Sequence, residues 1–463
     1  MNILSRIMTP VIAAFSAVAA ANAASLDISA DERVDLVYTV FHYAGNPEFS
    51  NVNIPEYAKG MDEYFAPYKE HPVIQMAREL HDKHSVSYNA VTEIAIILDS
   101  PDSLPLTEGS MESMDKRWPR EKVEEFLTLL RDFSQKSNFH SFFSARKELY
   151  RDQYEFWRKT TGDAQCIPWV EKFYGEERPI HFFIIPTVFE EGGIAQNIVR
   201  NNELYCGMVC AVVDPDYKRP ESRTPGFIVH ELSHTWTNPV TAAIYPQIQE
   251  TAEKFFDEVQ SVLPESYRTP AVMMIETFNR AATAVYLHDQ YGEEIAMKQC
   301  FEDLLMGFLL VTPIYKCIIE EREKGGENWH YADSAQVYVE WVNSPGAVQL
   351  LEKYIEWQKK APKIVSFSPE NGATGVEPQT QEIVIKFDKP MRIAYSICRD
   401  GKGEYPEVSH VQYNEDGTVL TMKVKLKPDT EYRMWFNHLS NNYFRSQDGG
   451  RLADTEYVFF TGK

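Results

Sequence analysis

The segment Thr224-Pro225-Gly226-Phe227-Ile228-Val229-His230-Glu231-Leu232-Ser233-His234-Thr235-Trp236-Thr237-Asn238-Pro239 organises the reading of the whole 463-residue chain. It contains the H-E-x-x-H pattern, His230-Glu231-Leu232-Ser233-His234. Thr224-Pro225 supplies an N-cap and a first-turn proline, and Asn238-Pro239 marks an end, which predicts one helix of about four turns. At about 100° per residue, His230 and His234 stand about 40° apart on one face, while Ile228, Val229, Leu232 and Trp236 gather on the other. Two neutral imidazoles on a common face bind a borderline metal such as Zn2+. The carboxylate of Glu231 beside them is the group that takes a proton from water.

A catalytic zinc keeps three protein ligands, and two downstream carboxylates compete for the third place. Glu253 follows His234 after 18 intervening residues. Its helix, however, has an apolar arc of Ile244, Ile248, Ala252, Phe255, Phe256, Val259 and Val262, and Glu253 and Asp257 fall on the far side with Glu250, a solvated face. Glu276 lies in a helix, opened by Thr269-Pro270, that is weakly polar on every side and therefore buried. A buried carboxylate needs compensation by a metal or a cation, and Arg280 follows one turn later. The reading favours Glu276 as metal ligand, with Arg280 holding the carboxylate or facing the substrate. Tyr286 and His288 are candidates for an additional oxyanion donor.

The segments His230 to Pro239 and Glu276-Thr277-Phe278-Asn279-Arg280-Ala281 resemble the gluzincin branch of zinc metallopeptidases. More narrowly, they are similar to an uncharacterised family of exported bacterial proteins, a domain of unknown function with a metallopeptidase-type site. The resemblance extends from Asp31 to about Lys359 and includes Tyr64-Phe65-Ala66-Pro67-Tyr68-Lys69-Glu70-His71-Pro72. It implies a zincin-like fold and hydrolysis of a peptide or protein substrate by zinc-bound water, with Glu231 as general base. From a different class, the same scaffold without catalysis would be a binding or adhesion protein; the intact His230, Glu231 and His234 favour the enzyme.

Outward from the motif, residues 30–174 carry helical spacing, as in Val73, Ile74, Met76, Ala77 and Leu80 or Val123, Phe126, Leu127 and Leu130. The runs Ile180 to Pro186 and Leu204 to Val213 read as buried strands with Gly192-Gly193 as a turn between them, and the second offers an edge for an extended substrate. Helices return until about Lys359. Past the linker Lys359-Lys360-Ala361-Pro362, Leu420, Met422, Val424 and Leu426 alternate with Thr421, Lys423, Lys425 and Lys427, a half-buried antiparallel strand. Ile383, Ile385 and Phe387 form a second.

Residues 362–463 hold 13 basic and 14 acidic side chains, so nearly all of the formal charge of −22 belongs to the preceding region. This tail resembles a bacterial immunoglobulin-like domain in Ser368 to Val376, Ile385 to Met391 and Pro428-Asp429-Thr430-Glu431-Tyr432, with Tyr432 placed for a tyrosine corner. Such a module implies contact with a surface or with the catalytic region. The expected class is thus α+β: a helix-rich zincin-like region with a small sheet over residues 24–360, then an all-β immunoglobulin-like sandwich over residues 361–463.

At the front, Arg6, the apolar run Ile7 to Ala21 and Ala21-Asn22-Ala23 read as a signal peptide of residues 1–23, which predicts export to the periplasm or beyond. The mature chain then has no membrane span, and a mean hydropathy of −0.38 agrees. The charge of −22 disfavours nucleic acid. Six cysteines in so long a chain do not make a disulfide scaffold. The pair His81 and His84 reads as helix surface.

Overall fold

A computed structural model describes residues 25–463 except 53, 101–104, 108–110, 112–113, 177, 190–191, 201, 213–220, 268, 400–401 and 439–442. The expected leader and Val213, the end of the second expected strand, lie outside the described residues.

A sheet of β1 (Ser25–Ile28), β2 (Ile180–Thr187), β3 (Gly193–Arg200) and β4 (Glu203–Ala211) is laid out in the order β1-β2-β4-β3. β1, β2 and β4 run parallel, and β3 is antiparallel to β4. Side chains alternate along a strand, so the sheet feeds two cores. Phe182, Ile184, Cys206 and Met208 enter one, whereas Ile185 and Val209 enter the other. Strands covered on both faces read as continuous apolar runs, which is why β2 and β4 stand out in the sequence.

β3 corrects two expectations. Residues 193–200 pair along the length of β4, where only a turn was expected, because Gln196 and Asn197 dilute the apolar signal. The run that includes β4 is therefore interior, and among the described residues the edge strands are β1 and β3.

One face of the sheet is covered by α1 (Glu32–Ala44), α2 (Pro55–Phe65), α3 (Pro72–His84), α4 (Asn89–Ile97), α5 (Arg120–Ser137) and α6 (Phe139–Ser144), which share a core with Ile185 and Val209. The other face is covered by α7 (Arg151–Asp163), α8 (Cys166–Tyr174), α9 (Arg223–Val259) and α10 (Pro270–Tyr291). The same core continues into α11 (Glu293–Leu305), α12 (Val311–Gly325), α13 (Ala335–Val342) and α14 (Pro345–Gln358). No helix among the described residues is long and apolar enough to cross a membrane.

The helix bearing His230 and His234 is longer than its punctuation predicts. α9 runs through Pro239 and Pro246 to Val259. An interior proline costs about 3 kcal/mol in an isolated helix. Here Thr241, Ile244, Ile248, Ala252, Phe255 and Val259 are buried beyond the first proline, and that burial outweighs the lost backbone bonds. Trp236 pins the helix from the side, stacked on Tyr174 with centroids 4.7 Å apart.

The tail forms two sheets. β5 (Ile364–Ser368), β6 (Glu382–Phe387), β9 (Val419–Lys425) and β8 (Glu407–Tyr413) make one in that order; β11 (Thr455–Phe460), β10 (Glu431–Phe436) and β7 (Ile397–Cys398) make the other. Ile383, Ile385, Leu420 and Met422 meet Tyr432, Met434 and Tyr457 in a core of their own. Buried Tyr432 accepts the Lys427 N–H at 2.6 Å, the corner expected of it. The module rests on the helical region: Trp357 Nε1 donates to the Asp448 carbonyl at 3.1 Å, and Arg445 donates to the Leu305 carbonyl. Gly449 fits between, since a Cβ there would come within 2.9 Å of Leu305 and 3.0 Å of Trp357.

Candidate functional site

α9 and α10 pack side by side and bring His230, His234 and Glu276 together. One ligand-type atom from each lies within 4.8 Å of the other two. His234 Nε2 is 3.4 Å from Glu276 Oε1, and His230 Nε2 is 3.6 Å from Oε2. The rings are nearly perpendicular, at 87°, with centroids 4.9 Å apart. Glu231, on the same helix, is 9% exposed.

Each imidazole is oriented through its other nitrogen. His234 Nδ1 lies 2.9 Å from Asn238 Oδ1, an acceptor, so the proton sits on Nδ1 and the Nε2 lone pair faces Glu276. The Thr283 hydroxyl donates to the Asn279 carbonyl at 3.0 Å, leaving its oxygen to accept from His230 Nδ1 at 3.5 Å. Asn279 braces the pair, reaching the His230 carbonyl at 2.9 Å and His234 Nε2 at 3.2 Å with Nδ2, while its Oδ1 accepts from Thr237 at 2.8 Å. Burial above all, and then the neighbouring His234 and Arg280, hold the His230 imidazole well below its usual pKa, in the neutral form able to ligate a metal.

Behind the carboxylate, Arg280 Nε stands 3.4 Å from Glu276 Oε2 and Nη1 donates to Asp303 Oδ1 at 2.7 Å. Burial works against the Arg280 charge, but Asp303 and Glu276 more than offset it and raise its pKa. The guanidinium also lies over Phe308, 4.4 Å from the ring centre. Glu276 Oε2 is buried without a hydrogen-bond partner among the described residues.

Separations of 3.4 and 3.6 Å between ligand-type atoms match the edge of a tetrahedron around an ion bonded at about 2.0–2.2 Å. The His/His/carboxylate set, ligand-ready tautomers and an orphaned buried oxygen fit Zn2+.

The other sequence candidates lie elsewhere. Tyr286 is buried and its hydroxyl donates to the Ala164 carbonyl at 2.8 Å, which makes it a core residue and not an oxyanion donor. His288 Nδ1 is engaged by the Tyr315 hydroxyl at 2.5 Å. Glu253 is exposed and accepts from Gln249 at 2.8 Å. Sequence reasoning missed Tyr267, whose phenol is pushed up to about 12 by burial and then by Glu276 and Glu231, with Arg280 opposing, so it senses both carboxylates. It also missed Asp303, Asn238 and Thr283. Asn279 and Thr283 stand at i+3 and i+7 from Glu276, a helical stripe of polar residues in an apolar setting that could have identified them.

Residues 46–342 match a family described as a domain of unknown function, DUF4932, and residues 358–461 match a bacterial Ig-like domain. No curated protein matches. Among solved structures, surface layer protein SbsC, domains 1–6, is 12% identical over 51% of this chain and 34% of that one, with a TM-score of 0.17. The S-layer protein rSbsC(31-844) is 11% identical over 84% of this chain and 45% of that one, also at 0.17. The chain thus spans less than half the length of these structures, and scores so low carry no structural argument.

Proposed function

This chain belongs to the DUF4932 family, and on the geometry of His230, His234 and Glu276 we propose that it is an exported zinc-dependent peptidase of gluzincin type with a zincin-like catalytic region. The observation that carries the reading is the convergence of three ligand-type atoms within 4.8 Å, with each imidazole turned by a partner on its other nitrogen. Zinc held there by His230, His234 and Glu276 would lower the pKa of a water molecule and polarise the substrate carbonyl.

The protein's own groups supply the remaining work. Glu231 takes the proton of the attacking water and delivers it to the leaving amine. Tyr267, its phenol kept protonated, donates to the carbonyl oxygen as negative charge develops there. Arg280 and Asp303 hold Glu276 in place. An extended peptide adds to the free edge of β3.

Two measurements test the reading. Glu231→Gln should lose about 10²–10⁴-fold in turnover of a mixed peptide library while retaining zinc; unchanged cleavage would defeat the mechanism, and no cleavage by the zinc-loaded wild type would leave a binding protein on an inactive scaffold. Glu276→Ala should bring zinc stoichiometry from near one towards zero, and full retention would remove Glu276 from the ligand set.

A further inference from the structure

Away from the His/His/Glu cluster, and sharing no residue with it, an open cavity of about 490 Å³ lies among α11, α12, α13 and α14. That volume falls within the range of small-molecule sites. Its lining is mainly apolar, with Leu304, Leu309, Trp341 and Leu350 prominent. Phe301, also in the lining, is left 43% exposed. Aromatic and aliphatic surface of this kind, concave and uncovered, favours an alkyl ligand.

Two cations complete the site. Lys316 on α12 and Lys353 on α14 line the same cavity. In a chain with 68 acidic against 46 basic residues, nearby carboxylates are plentiful, yet no ion pair to either lysine is found among the described residues. Glu356, one turn beyond Lys353, is engaged by Lys359 at 2.5 Å. Long lysine stems lie along apolar surface while their ammonium groups remain free for an anion.

We propose that this cavity binds an amphipathic anion, a single-chain carboxylate whose alkyl tail lies against Leu304, Trp341 and Leu350 and whose headgroup pairs with Lys316 and Lys353. The two lysines select the sign of the headgroup, and the apolar wall selects chain length. The site is independent of the peptidase reading and stands whether or not peptides are cleaved.

Calorimetric titration of the full mature chain with monomeric dodecanoate tests the proposal. Saturable uptake of one molecule per chain is expected, weakening about fourfold for each methylene removed from the tail. Lys316→Glu/Lys353→Glu, on exposed positions, should weaken it at least tenfold with an unchanged melting temperature. Gly346→Phe should act likewise by filling the cavity, since a Cβ at this lining residue meets only Ser344 Oγ at 3.4 Å. Equal affinity for dodecyltrimethylammonium, or undiminished dodecanoate affinity in the lysine variant, would overturn the proposal. So would sedimentation with phosphatidylglycerol vesicles in the absence of monomer uptake, which would mark a bilayer contact.

Discussion

Two acids are buried on opposite sides of the same sheet, and they are accommodated in opposite ways. Asp35, on α1, is fully buried and surrounded by hydroxyls: Tyr150 donates at 2.8 Å, Thr187 at 2.9 Å and Tyr57 at 3.4 Å. Burial pushes its carboxyl up to about 7, and the hydroxyl donors only partly counter that. Glu276, on α10, has the Arg280 guanidinium and two imidazoles as neighbours and an oxygen with no hydrogen-bond partner. Neutral donors turn a buried acid into a structural node that shares a proton. A cation and ligand-type nitrogens leave a lone pair for something outside the protein. Burial of a carboxylate therefore does not by itself mark a site; the chemistry of its neighbours does.

The contrast can be broken most sharply at Arg280. Arg280→Met strands Asp303 and Glu276 as buried charges without their cation, with an expected cost of about 3–5 kcal/mol in denaturant unfolding of the zinc-free protein. A loss within experimental error would show that the ion pair does not organise the site.

Asp35→Asn probes the other side. Because the folded-state pKa is raised from 3.8 to about 7, the folded protein binds this proton more tightly than the unfolded chain. Its contribution is fully present below pH 3.8, declines as pH rises from there and is lost by about 7, changing by at most about 1.4 kcal/mol per pH unit. Melts between pH 4 and 8 should find the variant equal to wild type at the acid end and more stable at the alkaline end. A difference independent of pH would refute the assignment. The smallest effect is expected in the tail, where Tyr432→Phe loses one hydrogen bond, about 1 kcal/mol by chemical denaturation, and leaves zinc content unchanged.

Legibility differed between the regions for physical reasons. The tail's strands announce themselves because one face of each is solvated, so Leu420, Met422 and Val424 alternate with lysines and threonine. β3 has its apolar run interrupted by Gln196-Asn197 and so does not stand out as a strand. Pro239 misleads for a related reason: local propensity ends the helix there, but the buried face from Thr241 to Val259 carries it on. Tyr286 and Tyr267 are both tyrosines near the motif helices. Nothing in their local pattern says that one hydroxyl is spent on the Ala164 carbonyl while the other has its pKa raised by burial and by the charges of Glu276 and Glu231 and is engaged by Arg280.

The sequence by itself determined the helix bearing His230, Glu231 and His234, the buried character of the helix bearing Glu276, the solvated position of Glu253 and the change to β structure near residue 362. These follow from periodicity and short-range stereochemistry, which act within one element. Only the tertiary structure decided that His230, His234 and Glu276 meet, that β3 and not β4 lies at an edge of the sheet, and that Asn238, Thr283 and Asp303 hold the cluster. Those are contacts between residues far apart in the chain, and their distances depend on how α9 and α10 pack against the sheet and each other.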